Sequence, residues 1–261
     1  MTGLLLQEFI TSGVLAFILV FVRIGTAIMI MPGLGDSFVP ERIRLHIAVA
    51  LSLVLFPLVL PYVPRPVPGT MVLFFLIFSE FLVGLFFGMI ARILMMALDT
   101  AGMVISTASG LSNAQLFNPA FSAQGSLMGA FLSITGVLIL FTANLHHLLI
   151  TGMIESYELF PLGTVPDVGS MAQMIAHTVS TSFAIGVKIG APFLVMILVV
   201  YAGMGVLSRL MPQVQVFMLA IPVQILLALV TMLLVLSASF LYWAQQFEEG
   251  MIFFLKSAGA G

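Results

Sequence analysis

Apolar residues in this chain neither alternate with polar ones nor recur as a narrow stripe. They gather into six nearly unbroken runs, Phe9–Met31, Leu45–Val63, Met71–Leu98, Ser126–Ile150, Phe183–Leu207 and Val214–Trp243. Each run reaches the roughly 18 to 20 residues that a helix needs to cross a hydrocarbon core about 30 Å thick. Within that core every backbone N–H and C=O must find a partner, which a helix supplies inside its own segment, and the period-two pattern of a lipid-facing barrel is missing. The pattern predicts an all-α, multi-helix integral membrane protein.

Two features complicate a simple count of spans. The last run would measure about 45 Å as a helix, and fitting it straight into the core needs a tilt near 48°, beyond the usual range of about 0 to 40°. The helices are therefore expected to kink or to leave the membrane plane, and Pro192 and Pro222 supply kink positions, the latter followed by Gln224. The second feature is Asp99–Gly125, which has no Lys or Arg, is crowded with Ala, Gly and Ser, and carries Asn113, Gln115, Asn118 and Pro119. It is too polar for lipid and too apolar for an open loop, so a re-entrant or pore-side position within protein is expected. Of the connections, Pro32–Arg44 is turn-rich and Pro61, Pro64, Pro66 and Pro68 make a stiff extended crossing. The nearest thing to a domain boundary is Glu155–Gln173, ahead of a final helical hairpin.

Composition sharpens this reading. With 61% hydrophobic and 7% charged residues, the chain has too little charge to clothe a water-soluble fold. A net charge of −2 excludes a basic surface for nucleic acid, and the absence of cysteine excludes disulfides and thiolate metal sites. Met1–Glu8 lacks the basic start of a signal peptide, so the first run is expected to be retained. Counting Arg42, Arg44 and Arg209 against Arg65 and Lys256 favours an amino terminus outside the cytoplasm.

Charges inside the runs are the first candidate sites. Arg23, Glu80, Arg92 and Lys188 would each cost about 2.5 to 3.5 kcal/mol at a helix centre, so each should face a partner, cavity or interface. Glu80 and Arg92 lie about 18 Å apart along one helix and cannot pair there, which leaves pairs such as Glu80 with Arg23 or Lys188. Small residues four apart (Gly84 and Gly88; Gly102, Ser106 and Gly110; Gly125 and Gly129; Gly186 and Gly190) allow close helix approach within the chain or with partner helices. His146 and His147 point about 100° apart on a helix, which disfavours joint metal ligation and suits a polar cap at a membrane interface. Thr107-Ala108-Ser109-Gly110 is similar to the serine motif of rhomboid-type intramembrane proteases but lacks its first glycine. No phosphate loop, dinucleotide fingerprint or metal-ligand spacing is present, and no cofactor is expected.

Several stretches together point to one family. Ser208-Arg209-Leu210-Met211-Pro212-Gln213-Val214-Gln215-Val216-Phe217, followed by Ile221-Pro222, resembles the R-x-x-P-Q-x-x-x-F … P signature of the FliR family, the flagellar export-gate proteins and their virulence type III counterparts. Phe21-Val22-Arg23-Ile24, Met31-Pro32-Gly33-Leu34-Gly35 and Val39-Pro40-Glu41-Arg42 resemble the family's amino-terminal pattern. Glu80-Phe81-Leu82-Val83-Gly84 with Gly88, Ala101-Gly102, Gly110 and Phe117-Asn118-Pro119 resemble its central region. Asn144-Leu145-His146-His147 departs from it, where family members often carry a glycine before the histidine.

The resemblance implies a non-enzymatic subunit of the inner-membrane protein export gate at the centre of the flagellar basal body. It implies FliP-like and FliQ-like subunits as partners, FlhB-like and FlhA-like export proteins beside them, and unfolded proteins as cargo. It implies a FliP-like front region over residues 1–170 and a FliQ-like hairpin over 171–261. Ser106–Ser122 maps onto the family's pore plug, with Ser106, Gly110, Asn113, Phe117, Asn118 and Pro119 in it, and Arg209, Pro212 and Gln213 onto the cytoplasmic entrance turn. The alternatives are a virulence type III subunit or a small-solute transporter; the inverted repeats that would favour the transporter are not seen.

Overall fold

The computed structural model describes residues 2–63, 69–112, 126–164, 166–211 and 216–255. Among them the regular structure is helical: α1 (Thr2–Ile30), α2 (Glu41–Val59) with a 3-10 turn at Leu60–Tyr62, α3 (Thr70–Ala108), α4 (Leu127–Thr142), α5 (Leu145–Leu159), α6 (Val168–Leu210), and α7 (Val216–Met251) with a 3-10 turn at Ile252–Phe254. Five of these helices are long and apolar enough to cross a membrane; α4 and α5 reach that length only together.

The first two runs become single helices and the fourth does not. Between α4 and α5 the chain turns at Asn144, whose φ of 60° lies in the left-handed region. Asparagine is one of the few residues other than glycine that visits this region readily, because its short amide can bond locally. A run that reads as one continuous span is thereby split by one backbone conformation.

The third run departs in the other direction. Where Asp99 was expected to begin a non-helical segment, α3 continues to Ala108, a rod of 39 residues or about 58 Å. Its polarity is absorbed locally: Ser133 of α4 donates to Asp99 Oδ1, and the glycines there bring α4 against it. Gly110, at φ 74°, takes the left-handed position just past the end and stops the helix. The longest helix, α6, has 43 residues and runs uninterrupted through Pro192, as α7 runs through Pro222. Each proline leaves one rung of the ladder unmade without ending its helix, and at about 64 Å α6 is twice the hydrocarbon thickness.

Asp167 begins α6. Its carboxylate accepts from Ser170 Oγ at 2.6 Å and from the Gly169 N–H at 3.0 Å. These bonds, the Ser170 hydroxyl first, hold its pKa below the ordinary carboxylate value. A depressed folded pKa gives stability that is complete above the unfolded value of about 3.9 and is lost as pH falls through the folded one. Thermal unfolding of the detergent-solubilised chain should therefore lose a small increment between about pH 5 and strongly acid solution, and Asp167→Ala should flatten that increment.

The chain forms two compact units interleaved in sequence. One contains Met1–Ile93, Phe141–Thr178 and Glu248–Gly261; the other contains Leu94–Leu140 and Val179–Phe247. In the first, Gly84 and Gly88 of α3 meet α1 so closely that a Cβ at Gly84 would lie 2.3 Å from the Arg23 carbonyl oxygen. Gly152 of α5 rests on Phe87, which packs edge-on against Phe254. In the second unit, Gly102 and Gly129 bring α3 and α4 together, Gly186 and Gly190 seat α6 on Ala97, Thr100 and Val104, and fully buried Trp243 donates to the Leu94 carbonyl at 3.2 Å. The Gly84–Gly88 and Gly186–Gly190 pairs thus serve packing inside the chain.

Candidate functional site

In the first unit α1, α3 and α5 converge on Arg23. Its guanidinium forms a fork with Glu80, Nε to Oε2 at 2.6 Å and Nη2 to Oε1 at 3.0 Å. The same group donates to Ser156 Oγ at 3.3 Å and to the Phe160 carbonyl at 2.9 Å, and lies 3.8 Å from the centroid of the Tyr157 ring. Arg23 is 2% exposed and Glu80 1%. Two charges that would be prohibitive alone in hydrocarbon become a hydrogen-bonded, nearly neutral unit pinning three helices.

Arg92 is satisfied separately. Its Nη1 donates to Asp36 Oδ1 at 2.5 Å, and Asp36 Oδ2 accepts from the Gly33 N–H at 2.7 Å, so the pair ties the Pro32–Arg44 turn to α3. In the second unit Lys188 is exposed, with its ammonium 5.9 Å from the Tyr242 ring centroid. Of the two partners the sequence leaves open for Glu80, Arg23 and Lys188, the structure takes Arg23. The sequence does not single out Asp36, Ser156, Tyr157 or the Phe160 carbonyl, because a turn aspartate or an ordinary helix hydroxyl gives no signal of its distant partner.

The second unit also holds the described ends of the predicted plug. Ser106, near the end of α3, and Ser126, just before α4, join through their hydroxyls at 2.7 Å. Ser126 Oγ also donates to the Gly102 carbonyl at 3.0 Å and accepts from the Gly129 N–H at 3.1 Å. Gly110 supplies the left-handed turn beyond Ser109. Asn113, Phe117, Asn118 and Pro119 lie outside the described residues, as do Pro212 and Gln213; Arg209 is exposed in the last turn of α6.

The hydroxyl that resembles a protease nucleophile is engaged in its own turn. Ser109 Oγ donates to the Ser106 carbonyl at 3.2 Å, and the residue is fully buried. The histidines differ from expectation in one respect. Their rings do not diverge but stand with centroids 4.1 Å apart, and His146 also lies against Phe141, because side-chain torsions can bring neighbours together where backbone directions alone would part them. Among the described residues no group of three or more potential metal ligands occurs.

Very long apolar helices, charges neutralised as buried pairs and glycine-mediated helix crossings define a polytopic α-helical membrane protein. Residues 14–250 match the family described as bacterial export proteins, family 1. The chain is 38% identical to the flagellar biosynthetic protein FliR of Caulobacter vibrioides, over 88% of this chain and 92% of that protein. It is 30% identical to FliR of Aquifex aeolicus over 93% and 92%, and 27% identical to Yop proteins translocation protein T of Yersinia pestis over 84% and 85%. The chain belongs to the FliR family of bacterial export proteins.

Proposed function

We propose that this protein is a subunit of the flagellar type III export gate, forming with FliP-like and FliQ-like proteins the channel through which unfolded flagellar proteins leave the cytoplasm. The observation that carries the reading is the match to the flagellar relative of Caulobacter vibrioides, 38% identical over 88% of this chain, against 27% for the translocation protein T relative. On this reading the chain sits at the centre of the basal body in the inner membrane. Residues 1–170 act as a FliP-like part and 171–261 as a FliQ-like hairpin. The turn at Arg209, Pro212 and Gln213 lies at the cytoplasmic entrance beside FlhB-like and FlhA-like proteins. The role is structural and conductive rather than enzymatic.

The segment Ser106–Ser122 is the resting seal. Its support is physical: an uncharged, small-residue stretch can fill a lumen without leaving a charge unpaired, and the Ser106–Ser126 bond fixes the separation of its two anchoring helices. Export then needs the seal displaced between two packed arrangements, with no bond made or broken. Removing residues 113–122 while keeping both serines should leave the complex with FliP-like and FliQ-like subunits intact and make the membrane leak small ions, read as collapse of an imposed ion gradient. A tight membrane in that variant would sink the plug assignment, and failure of the wild-type chain to co-purify with those subunits would sink the channel.

A further inference from the structure

In the first unit α1, α2 and α3 border an apolar groove of about 620 Å³. Gly25 and buried Ala48 lie side by side within it, and Met29, Leu45, Phe78 and Phe81 are exposed along its walls. Its one polar side chain, Thr26, turns its hydroxyl back to the Val22 carbonyl at 2.7 Å, so the lining asks for no further hydrogen bond. The lining runs from Phe74 to Leu85 on α3 and from Phe21 to Ile30 on α1, lengths of about 16 and 14 Å. Each is about half of a 30 Å hydrocarbon core, the depth of one leaflet.

The groove has a polar mouth where two of its helices end. Here α1 stops at Ile30 and α2 starts at Glu41, so Met29, Ile30 and Leu45 lie at a membrane face. Glu41 and Arg42 stand four and three residues before Leu45, which puts both one turn beyond the apolar lining, and both are exposed. The neighbouring cation, Arg44, is held by the carbonyls of Val39 at 2.9 Å and Gly35 at 3.3 Å. An acid beside a base, at the end of an apolar slot one leaflet deep, complements a headgroup that carries an ammonium and a phosphate. The guanidinium takes the phosphate in charge-assisted bonds, and the carboxylate accepts from the ammonium.

From this geometry we infer that the groove binds one zwitterionic, amine-headed glycerophospholipid, with an acyl chain between α1 and α3 and its phosphate on Arg42. The inference is independent of the assembly proposed above. A helix of another subunit is the competing occupant, and it fits worse. A segment of the same length and 10 Å wide displaces about 1300 Å³, twice the space, and close helix packing in lipid uses small residues where these walls carry Phe, Met and Leu.

The isolated chain, stripped of lipid in detergent, would be titrated with dioleoyl phosphatidylethanolamine and the bound lipids counted by native mass spectrometry. One lipid per chain should bind before any further adducts appear. Gly25→Leu places a side chain in the groove without a backbone clash, since a Cβ there meets only Phe21 and Ala48 side-chain atoms at 3.9 to 4.0 Å. It should weaken the first site at least about tenfold, because each methylene kept out of an apolar site is worth about fourfold. Arg42→Gln, at an exposed position that folding does not need, should weaken it about fivefold, and Lys188→Gln in the second unit should leave it unchanged. Soluble phosphoethanolamine should not displace the lipid, since it has no chain to bury. Wild-type lipid binding in both Gly25→Leu and Arg42→Gln would overturn the site, and phosphatidylglycerol bound as tightly as phosphatidylethanolamine would overturn the headgroup match. A Gly25→Leu chain that melts like wild type and keeps its lipid but no longer recovers the FliP-like subunit would give the groove to a helix instead.

Discussion

Glu80→Leu is expected to destabilise the folded chain by about 3 to 5 kcal/mol, because it leaves the Arg23 guanidinium buried with no counter-charge. The attraction lost is only part of the effect. An isolated cation must either draw water into the protein or break the packing of α1 against α3, where the Gly84 approach leaves no slack. The double variant Arg23→Met with Glu80→Leu should recover part of the loss, since an apolar pair of similar volume carries no desolvation cost. Recovery should stop about 1 to 3 kcal/mol short, because the Phe160 carbonyl loses the donor it has at 2.9 Å. Thermal unfolding of the three chains in one detergent tests the ordering. If the double variant were as unstable as the single, the guanidinium would be holding the fold through Phe160 and Tyr157 rather than through Glu80.

Gly102→Leu should also destabilise the fold, by a different route. A Cβ at Gly102 would lie 2.2 Å from both the N and the Cα of Gly129, and backbone cannot yield as a flexible side-chain tip can. The helices α3 and α4 must then part, at a cost of about 1 to 3 kcal/mol or more, and the Ser106–Ser126 bond must break with them. The separation can be read chemically. In a Ser106→Cys, Ser126→Cys chain the two thiols replace hydroxyls 2.7 Å apart and should oxidise readily to a disulfide; adding Gly102→Leu should abolish that reaction. Gly203→Ala is the control, because its Cβ enters open space and the change should stabilise the helix by roughly 0.5 to 1 kcal/mol. A disulfide forming equally well in the Gly102→Leu background would show that the glycine crossing does not set the distance between the plug's anchors.

Much of this was legible before any coordinates. Apolar run length gave the helices, and the cost of a charge in hydrocarbon required Arg23 and Glu80 to find partners. Four-residue glycine spacing marked Gly84 with Gly88 and Gly186 with Gly190, which the fold uses for close approach. The motif around Arg209, Pro212 and Gln213 pointed to the family that the full-length matches establish. What could not be read were outcomes decided by contacts far apart in sequence. Asp99 looked like a helix breaker because its satisfaction by Ser133 is a tertiary event. Ser126–Ile150 looked continuous because one left-handed residue leaves no trace in hydropathy.

The amino-acid sequence by itself determined the class of solvent, the helical content and the need for every buried charge to be neutralised, because each follows from the transfer free energy of side chains and backbone groups taken one segment at a time. Only the tertiary structure decided which groups do the neutralising. Arg23 of α1 took Glu80 from α3 and Ser156 and the Phe160 carbonyl from α5 and its end, and Arg92 took Asp36. Those choices depend on where glycines let helices approach and where a single backbone turn redirects one, and such distances belong to the packed chain rather than to any stretch of it.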